Sequence, residues 1–232
     1  MIGVIIPAHD EEDTLHACLL AVLHAAGHPG LAGEKVHVVV VLDSCTDRSE
    51  AIARALGVHV MQVGLRNVGA VRAVGARHAI GRGARWLANT DADTVVASDW
   101  LWQQLQLGTD AVCGTVAVDD WTPHGAAAPR LRAHFARTYN DADGHRHIHG
   151  ANFGVSTSAY RRAGGFPPLA CSEDVALLQA LLAIGASIAW TAAPRVVTSA
   201  RLDARAANGF GDTLKAVVSN FESRIGSTRK AP

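Results

Sequence analysis

Trp86-Leu87-Ala88-Asn89-Thr90-Asp91-Ala92-Asp93-Thr94 is the most informative stretch of this chain. Its apolar start is typical of a short buried strand, and two carboxylates, Asp91 and Asp93, follow as that strand ends. Carboxylates this close together repel each other unless a cation or several hydrogen-bond donors lie between them. A hard divalent ion such as Mg²⁺ or Mn²⁺ would satisfy the pair, because such ions bind through carboxylates and substrate phosphates. The alternative is an Asp-rich turn that caps the next helix.

The composition describes a neutral chain of moderate size. Its 232 residues are 49% hydrophobic, which is enough for one sizeable core. A formal net charge of zero gives no electrostatic footprint for nucleic acid or an anionic membrane. The four cysteines form no CxxC pair, so we interpret them as reduced thiols. No apolar run is long enough to span a bilayer and no signal peptide precedes Ile2, so the sequence predicts a cytoplasmic protein without an integral membrane segment.

Strands and helices alternate through the first half of the chain. Strands are predicted at 2–6, 36–42, 58–63 and 86–89, with helices between them at about 15–26, 46–56 and 67–80. This order requires a mostly parallel sheet with right-handed crossovers, and such sheets bind ligands beyond the carboxyl ends of their strands. Acidic residues gather at those ends: Asp10, Glu11, Asp43, Asp91 and Asp93. The sequence therefore predicts an acidic binding site at one edge of the sheet.

The chemistry of that edge favours a base and a ribose over naked phosphate. Base N–H groups and ribose hydroxyls need hydrogen-bond acceptors, which carboxylates supply. The first turn has no G-x-G-x-x-G motif, and G-x-x-x-x-G-K-[ST] does not occur. These absences argue against the usual dinucleotide fold and against a P-loop protein.

The second half is predicted to contain shorter elements. In chain order they are a helix capped by Ser98 and running to about 107, a strand at 111–118, a helix at 129–139, a helix opened by Ser172-Glu173-Asp174, strands at 186–190 and 195–198, and a helix at about 212–224 before a frayed tail. Arg201 and Arg205 follow the last strand. They are placed to close over a diphosphate, or they are surface charges.

Four motifs occur in a fixed order: Ile6-Pro7-Ala8-His9-Asp10-Glu11-Glu12, Val41-Leu42-Asp43-Ser44-Cys45-Thr46-Asp47, Asp91-Ala92-Asp93 and Ser172-Glu173-Asp174. Together they resemble family 2 glycosyltransferases of the GT-A fold. The chain has Asp10 where that family commonly has Asn, and Leu42-Asp43 where two acids are usual. The resemblance implies an α/β GT-A fold with a central, mostly parallel mixed sheet flanked by helices. It also implies a single domain over 1–232, with a donor lobe at 1–95 and an acceptor lobe at 96–232.

The resemblance implies a metal-dependent enzyme that moves a sugar from a nucleoside-diphosphate sugar, of the UDP or GDP type, to an acceptor hydroxyl with inversion. Asp93 would bind Mg²⁺ or Mn²⁺ directly, and Asp174 would be the general base. The implied donor-side residues are Pro7, His9 and Glu11 around the base and ribose, Asp43 at the base N–H, Asp91 at the ribose or the metal shell, and Arg72 at the base or diphosphate. The implied acceptor-side residues are His149, Asn152 and Glu173.

Two of these assignments have structural alternatives. Arg72 could be a solvated arginine on the polar face of its helix. Ser172 is a good N-cap for the helix that follows, and acids in a first turn are favoured by the helix dipole. That dipole would also keep Asp174 ionised, as a general base requires.

The segment 140–150 is polar and rich in Asp and His. His145, His147 and His149 alternate, so on an extended chain they would share one face. A zinc site is one interpretation, and a solvent-exposed loop is the one we favour. The chain has no later histidine that could serve as an extra metal ligand.

Two other functions remain open from the sequence. Asp91-Ala92-Asp93-Thr94-Val95 also fits the nucleophile motif of haloacid-dehalogenase-type phosphatases, although those enzymes need a later lysine and only Lys215 and Lys230 follow. A non-catalytic subunit that binds nucleotide sugars would keep Asp43 and Asp93 and need no base at position 174. The oligomeric state is open as well, and a homodimer is one outcome.

Overall fold

The computed structural model of the chain describes residues 1–202 and Val217. In chain order its strands are β1 (Ile2–Ala8), β2 (Val36–Asp43), β3 (His59–Val63), β4 (Trp86–Asn89), β5 (Thr94–Val96), β6 (Ala111–Cys113), β7 (Phe153–Ser156), β8 (Ile188–Trp190) and β9 (Val196–Thr198). Its α-helices are α1 (Leu15–Ala26), α2 (Ser49–Ala55), α3 (Val68–Gly81), α4 (Trp100–Gln106), α5 (Ala128–Thr138), α6 (Thr157–Arg162) and α7 (Glu173–Ala183). The helix predicted at 212–224, the tail after it and Arg205 lie outside the described residues, apart from Val217.

Seven strands form one sheet in the order β3-β2-β1-β4-β7-β6-β8. β1 runs parallel to β2 and β4, β2 runs parallel to β3, and β6 runs parallel to β8. β7 is antiparallel to both of its neighbours, β4 and β6. The predicted mixed, mostly parallel sheet is therefore confirmed. β5 and β9 pair separately as a small antiparallel ribbon.

The strand register brings the chain's first two motifs together. Ala8 at the end of β1 pairs with Leu42, next to the last residue of β2. Asn89, which ends β4, pairs with Ile5 on the other side of β1. The turns that follow β1, β2 and β4 therefore leave the same edge of the sheet, as expected for parallel strands.

Apolar layers cover both faces of the sheet. Ile2, Val4 and Ile6 of β1 pack in one cluster with α1, and Ile5 packs on the opposite face with α3 and α7. This two-sided burial explains why β1 is a continuous apolar run, because a central parallel strand has no solvent face. No helix in the described part of the chain is long and apolar enough to cross a membrane.

Three local predictions for the second half were wrong. β6 ends at Cys113 rather than 118, and beyond it only Ala117 makes an isolated bridge, with Val197. α4 begins at Trp100, and its N-cap position makes no side-chain capping bond, so Ser98 does not cap it. α7 begins at Glu173 as predicted, but Ser172 has φ 59° and makes no side-chain capping bond. A capping side chain normally extends from β-region backbone, and Ser172 lies in the left-handed region instead.

Helix α3 packs against the sheet through a glycine, which gives a test of the core. A Cβ placed on Gly75 would lie 2.7 Å from Cγ2 of Ile5 and 3.1 Å from Cγ2 of Val41. Gly75→Ala should gain up to about 1 kcal/mol of helix propensity but lose more, about 1–3 kcal/mol, to overpacking. We expect a net fall in the free energy of unfolding, measured by urea denaturation.

Gly81→Ala is the matched control for Gly75→Ala. Gly81 ends the same helix, and nothing lies within 4 Å of a Cβ placed there. This variant should be neutral or slightly stabilised. Equal stability changes in the two variants would contradict the close packing of α3 on β1.

Candidate active site

The turn after β2 holds Asp43 through backbone donors. Its Oδ1 accepts the N–H of Leu65 at 2.7 Å, and its Oδ2 accepts the N–H of Asn67 at 3.2 Å. Burial pushes the pKa of Asp43 upwards, but the N–H groups of Arg66, Leu65 and Asn67 outweigh it and lower that pKa. Asp43 is therefore held ionised where β2 ends, with acceptor capacity left on Oδ2.

The turn after β1 is fastened to the turn after β2. Nδ1 of His9 donates to the carbonyl of Asp43 at 2.6 Å. Asp10 has φ 50°, and its Oδ1 accepts the N–H groups of Thr46 at 2.7 Å and Asp47 at 3.3 Å. Asn and Asp both tolerate left-handed backbone, so the Asp at this position fits the geometry. The hydrogen bond from Thr46 is the main reason that the pKa of Asp10 is lowered.

The acid pair after β4 has two different environments. Asp91 is 39% exposed, whereas Asp93 is 14% exposed and accepts from the hydroxyl of Thr94 at 3.3 Å. Burial, followed by the negative charge of Asp91, raises the pKa of Asp93 to about 6. Both effects disfavour the ionised form of Asp93, and they outweigh the nearby guanidinium of Arg201, which lowers this pKa.

Arg201 reaches into this site from the segment after β9. It donates to both carboxylate oxygens of Glu11, at 2.5 and 2.6 Å, and its Nη2 lies 3.3 Å from Oδ2 of Asp93. Its interpretation as a surface charge was therefore wrong. Thr14 also donates to Glu11 at 3.0 Å, so the carboxylate expected to line the ribose pocket is paired with an arginine and a hydroxyl.

Arg72 lies in the interior and makes two ion pairs. It is 2% exposed, its Nε donates to Glu173 at 2.9 Å, and its Nη2 donates to Asp91. Its Nη1 also lies 3.4 Å from the carbonyl of Thr90. The solvated helix-face interpretation of Arg72 was therefore wrong, because its guanidinium lies between two carboxylates from different elements. Arg72 thereby links α3, the end of β4 and the start of α7.

Asp174 lies beside Glu173 on the first turn of α7. Its Oδ2 accepts the N–H of Gly150 at 2.7 Å, and its Oδ1 accepts the N–H of Val175 at 2.8 Å. Burial nevertheless raises the pKa of Asp174, and it raises that of Glu173 as well. The N–H groups of Val175 and Gly150 lower the pKa of Asp174, but desolvation outweighs them. The expectation that the helix dipole keeps Asp174 ionised stays a prediction. A raised pKa makes this carboxylate a stronger base.

The three histidines of the segment 140–150 pack against other protein groups, and they form no zinc site. His145 is 1% exposed, its Nε2 donates to the carbonyl of Thr191 at 3.3 Å, and its Nδ1 accepts the N–H of His147. Nε2 of His149 accepts from the hydroxyl of Tyr139 at 2.9 Å, and burial lowers the pKa of His149 to about 4. The zinc interpretation was wrong, because the three rings take separate protein partners. The exposed-loop interpretation holds for residues 140–144 and Arg146, whereas the three histidines are buried or half-buried.

Asn152 is a scaffold residue in this structure. It is 1% exposed, its Oδ1 accepts from the indole of Trp100, and its Nδ2 donates to the carbonyls of Thr115 and Pro194. We expected Asn152 on the acceptor side of the site, but its side chain does not line the cavity described next.

One cavity of about 900 Å³ brings the other predicted residues together. Ten of them line it: Pro7, His9, Glu11, Asp43, Arg72, Asp91, Asp93, His149, Glu173 and Asp174. Sequence reasoning missed Tyr139, which also lines the cavity and whose pKa is raised to about 12 by burial. Tyr139 directly follows α5 and has no sequence motif around it, so only tertiary packing places it at the cavity.

The buried ion pairs of Arg72 make a stability prediction. Arg72→Met should destabilise the protein by about 3–5 kcal/mol at neutral pH, because it leaves Glu173 buried without a cation. Loss of Arg72 also raises the folded-state pKa of Glu173 further, and a carboxyl with a raised folded pKa favours folding only when protonated. The deficit should therefore shrink as the pH falls from about 8 to about 5, measured by urea denaturation at each pH.

Arg77→Met is the control for Arg72→Met, since Arg77 is an exposed arginine of the same helix. It should change stability little at either pH. A deficit of Arg72→Met that stays constant across this pH range would contradict the role of Glu173.

Comparisons with known proteins agree with this geometry. The model of the Glycosyl transferase family 2 matches residues 3–164. A mannosyltransferase, PcManGT from Pyrobaculum calidifontis, solved with GDP-Man and Mn²⁺, superimposes with a TM-score of 0.65 at 18% identity, over 100% of this chain and 65% of its own. TarS (1–349) from S. aureus in complex with UDP gives a TM-score of 0.60 at 17% identity, over 86% of this chain and 61% of its own. These structures confirm the predicted GT-A fold.

The match to the TarS structure covers only part of that protein. This chain spans about 60% of the TarS 1–349 chain, and no curated protein matches the sequence. The family match, which starts at the first strand and extends well past the acid pair, overturns the haloacid-dehalogenase interpretation of Asp91 and Asp93. The chain belongs to glycosyl transferase family 2.

Proposed function

We propose that this protein transfers a sugar from a nucleoside-diphosphate sugar to an acceptor hydroxyl, with inversion at the anomeric carbon. The observation that carries the proposal is the shared cavity. It holds the acid pair Asp91 and Asp93, the nucleotide-side acid Asp43 and the candidate base Asp174. Family 2 membership and solved neighbours with UDP or GDP-Man support a nucleoside-diphosphate donor.

The acid pair fits a divalent cation. Asp91 and Asp93 offer carboxylate oxygens, which are the ligands that Mg²⁺ and Mn²⁺ prefer. Burial and mutual repulsion raise the pKa of Asp93, and a cation would relieve that repulsion. Asp93 would bind the ion, with Asp91 supporting it. The ion would supply Lewis-acid stabilisation of the departing diphosphate.

Asp174 is the proposed general base. It would take the proton of the acceptor hydroxyl as that oxygen attacks the anomeric carbon. The bond between this carbon and the diphosphate oxygen breaks in the same step, and the nucleoside diphosphate leaves with the bonding electron pair. A single displacement of this kind inverts the anomeric centre. Glu173 would not compete as the base, because it is paired with Arg72.

Arginines supply the positive charge at the donor end. Arg201 already lies between Glu11 and Asp93, so it is close to where the diphosphate would lie beside the metal. Arginine forms bidentate contacts with phosphate oxygens. We therefore place Arg201 at the diphosphate of the bound donor, while Arg72 positions Asp91 through their ion pair.

The experiment measures release of nucleoside diphosphate from UDP- and GDP-sugars with Mn²⁺ or Mg²⁺, using water or added sugars as acceptors. Asp174→Asn should lower kcat by about 10²–10⁴-fold, the range of general-base catalysis, and leave donor affinity within a few-fold of wild type. Asp93→Asn should abolish turnover and also the metal dependence of donor binding. Asp13→Asn, an exposed acid in the turn after β1, is the matched control and should keep full activity.

Two outcomes would contradict this assignment. Near-full turnover of Asp174→Asn would show that another group removes the proton. Binding of a donor by the wild-type protein, without hydrolysis or transfer across a broad acceptor panel, would favour the non-catalytic binding subunit instead.

A further inference from the structure

A second group of metal-ligating side chains lies away from the cavity. His37, His59 and His78 each offer one ring nitrogen, and these three atoms lie within 4.8 Å of one another. None of the three lines the proposed active-site cavity. His37 is near the start of β2 and Asp43 at its end, so the two are roughly 20 Å apart along the strand.

The fold brings these histidines together for simple geometric reasons. His37 and Val39 are two residues apart on β2, so they face the same side of the sheet. His59 is the register partner of Val39 on β3, which places it on that side too. Val39 and Ala79 of α3 belong to the same buried apolar cluster, and His78 is the neighbour of Ala79 in the chain.

The distances suit a small cation bound by imidazole nitrogens. Nε2 of His37 and Nε2 of His78 are 3.1 Å apart, and tetrahedral zinc places its nitrogen ligands roughly 3.4 Å apart. The rings of His59 and His78 stack with their centroids 4.0 Å apart. Binding would turn the His59 ring out of this stack by a rotation of its side chain, because stacked rings do not aim their lone pairs at one point.

The electrostatics keep the ligands available. Burial, followed by the neighbouring histidines, lowers the pKa of His37, and burial followed by His59 lowers that of His78. Neutral imidazole is the form that binds metals. The guanidinium of Arg82 is the charged group near the cluster that acts on both His37 and His78, and it opposes a cation there.

We propose that His37, His59 and His78 form a binding site for a transition-metal cation of the Zn²⁺ type, with water completing the coordination. Three imidazoles and one water is a common zinc ligand set, and oxygen-preferring Mg²⁺ would not compete for it. Because β3 is the edge strand of the sheet, the ion would join that edge to β2 and to helix α3. Zn²⁺ should therefore raise the unfolding temperature by mass action.

The test titrates the full chain, purified without a polyhistidine tag, with Zn²⁺ by calorimetry in excess Mg²⁺. Excess Mg²⁺ fills the acid pair, so that Zn²⁺ reports on nitrogen ligands. We expect one equivalent per chain. His78→Gln and His59→Gln should each weaken this binding by more than about tenfold, since even the loss of a supporting contact to a metal ligand costs that much. Arg82→Gln should tighten it a few-fold by removing a like charge.

Two controls separate this site from other zinc ligands. His16→Gln removes an exposed histidine of α1 and should change nothing. Cys45→Ser tests the other three-donor group in the described part of the chain, formed by Asp10, Cys45 and Asp47. It should leave the affinity unchanged, and Co²⁺ bound to the wild-type protein should show no thiolate-to-cobalt charge-transfer band.

Circular dichroism of each metal-free variant shows whether it folds. If His78→Gln does not fold, Arg82→Gln and the Co²⁺ spectrum still decide the question. The proposal is overturned if the wild-type protein binds no stoichiometric Zn²⁺, if a folded His78→Gln binds as tightly as wild type, or if binding is lost in Cys45→Ser. None of these results depends on glycosyl transfer.

Discussion

A buried guanidinium between two carboxylates is the constraint on which the site depends. Arg72 is 2% exposed and pairs with both Asp91 and Glu173. Such a charge is tolerated in an interior only because its partners and hydrogen bonds offset the desolvation. The three residues come from α3, the turn after β4 and the start of α7. The ion pairs therefore fix the turn after β4 against the helix that carries Asp174.

Four acids in or next to the cavity fall into two groups, whose pKa values shift for different physical causes. Asp10 and Asp43 accept backbone N–H groups, and their pKa values are lowered. They hold the turns after β1 and β2 in place. Asp93 and Asp174 are dominated by burial, and their pKa values are raised. Perturbed carboxylates of this second kind are typical of reactive sites. The pKa of Glu173 is raised by burial as well, but its ion pair with Arg72 sets it apart from Asp93 and Asp174.

The sequence predicted the architecture because strand periodicity and the position of acids are local features. Continuous apolar runs gave the parallel strands, and the carboxyl-end rule placed Asp43, Asp91 and Asp93 at one edge. Contacts across the fold were harder to predict. Asn152 was assigned to the acceptor side, yet it joins Trp100 to two backbone carbonyls, and nothing local indicates those partners.

The inward position of Arg72 could have been predicted from the sequence. Positions 72, 76 and 79 share one helical face at i, i+4 and i+7, and Ala76 and Ala79 are fully buried. Helical periodicity therefore places Arg72 inward, but a charged residue was assumed to face solvent because isolated charges seldom lie in an interior. The sequence could not reveal that Asp91 and Glu173, 19 and 101 residues away, would supply the compensating charge.

Arg201 would interact with the proposed metal ion through Asp93. In the structure its guanidinium occupies the space between Glu11 and Asp93, so a positive charge already lies at the acid pair. Under the proposed function a cation bound to Asp93 would repel that guanidinium, and the donor diphosphate would attract it. Linkage requires the effect to be reciprocal. The ion pairs of Arg201 with Glu11 and Asp93 would weaken the affinity of the site for the cation. A bound cation would weaken these ion pairs by the same factor. Metal binding, donor binding and the position of the segment after β9 are then parts of one equilibrium.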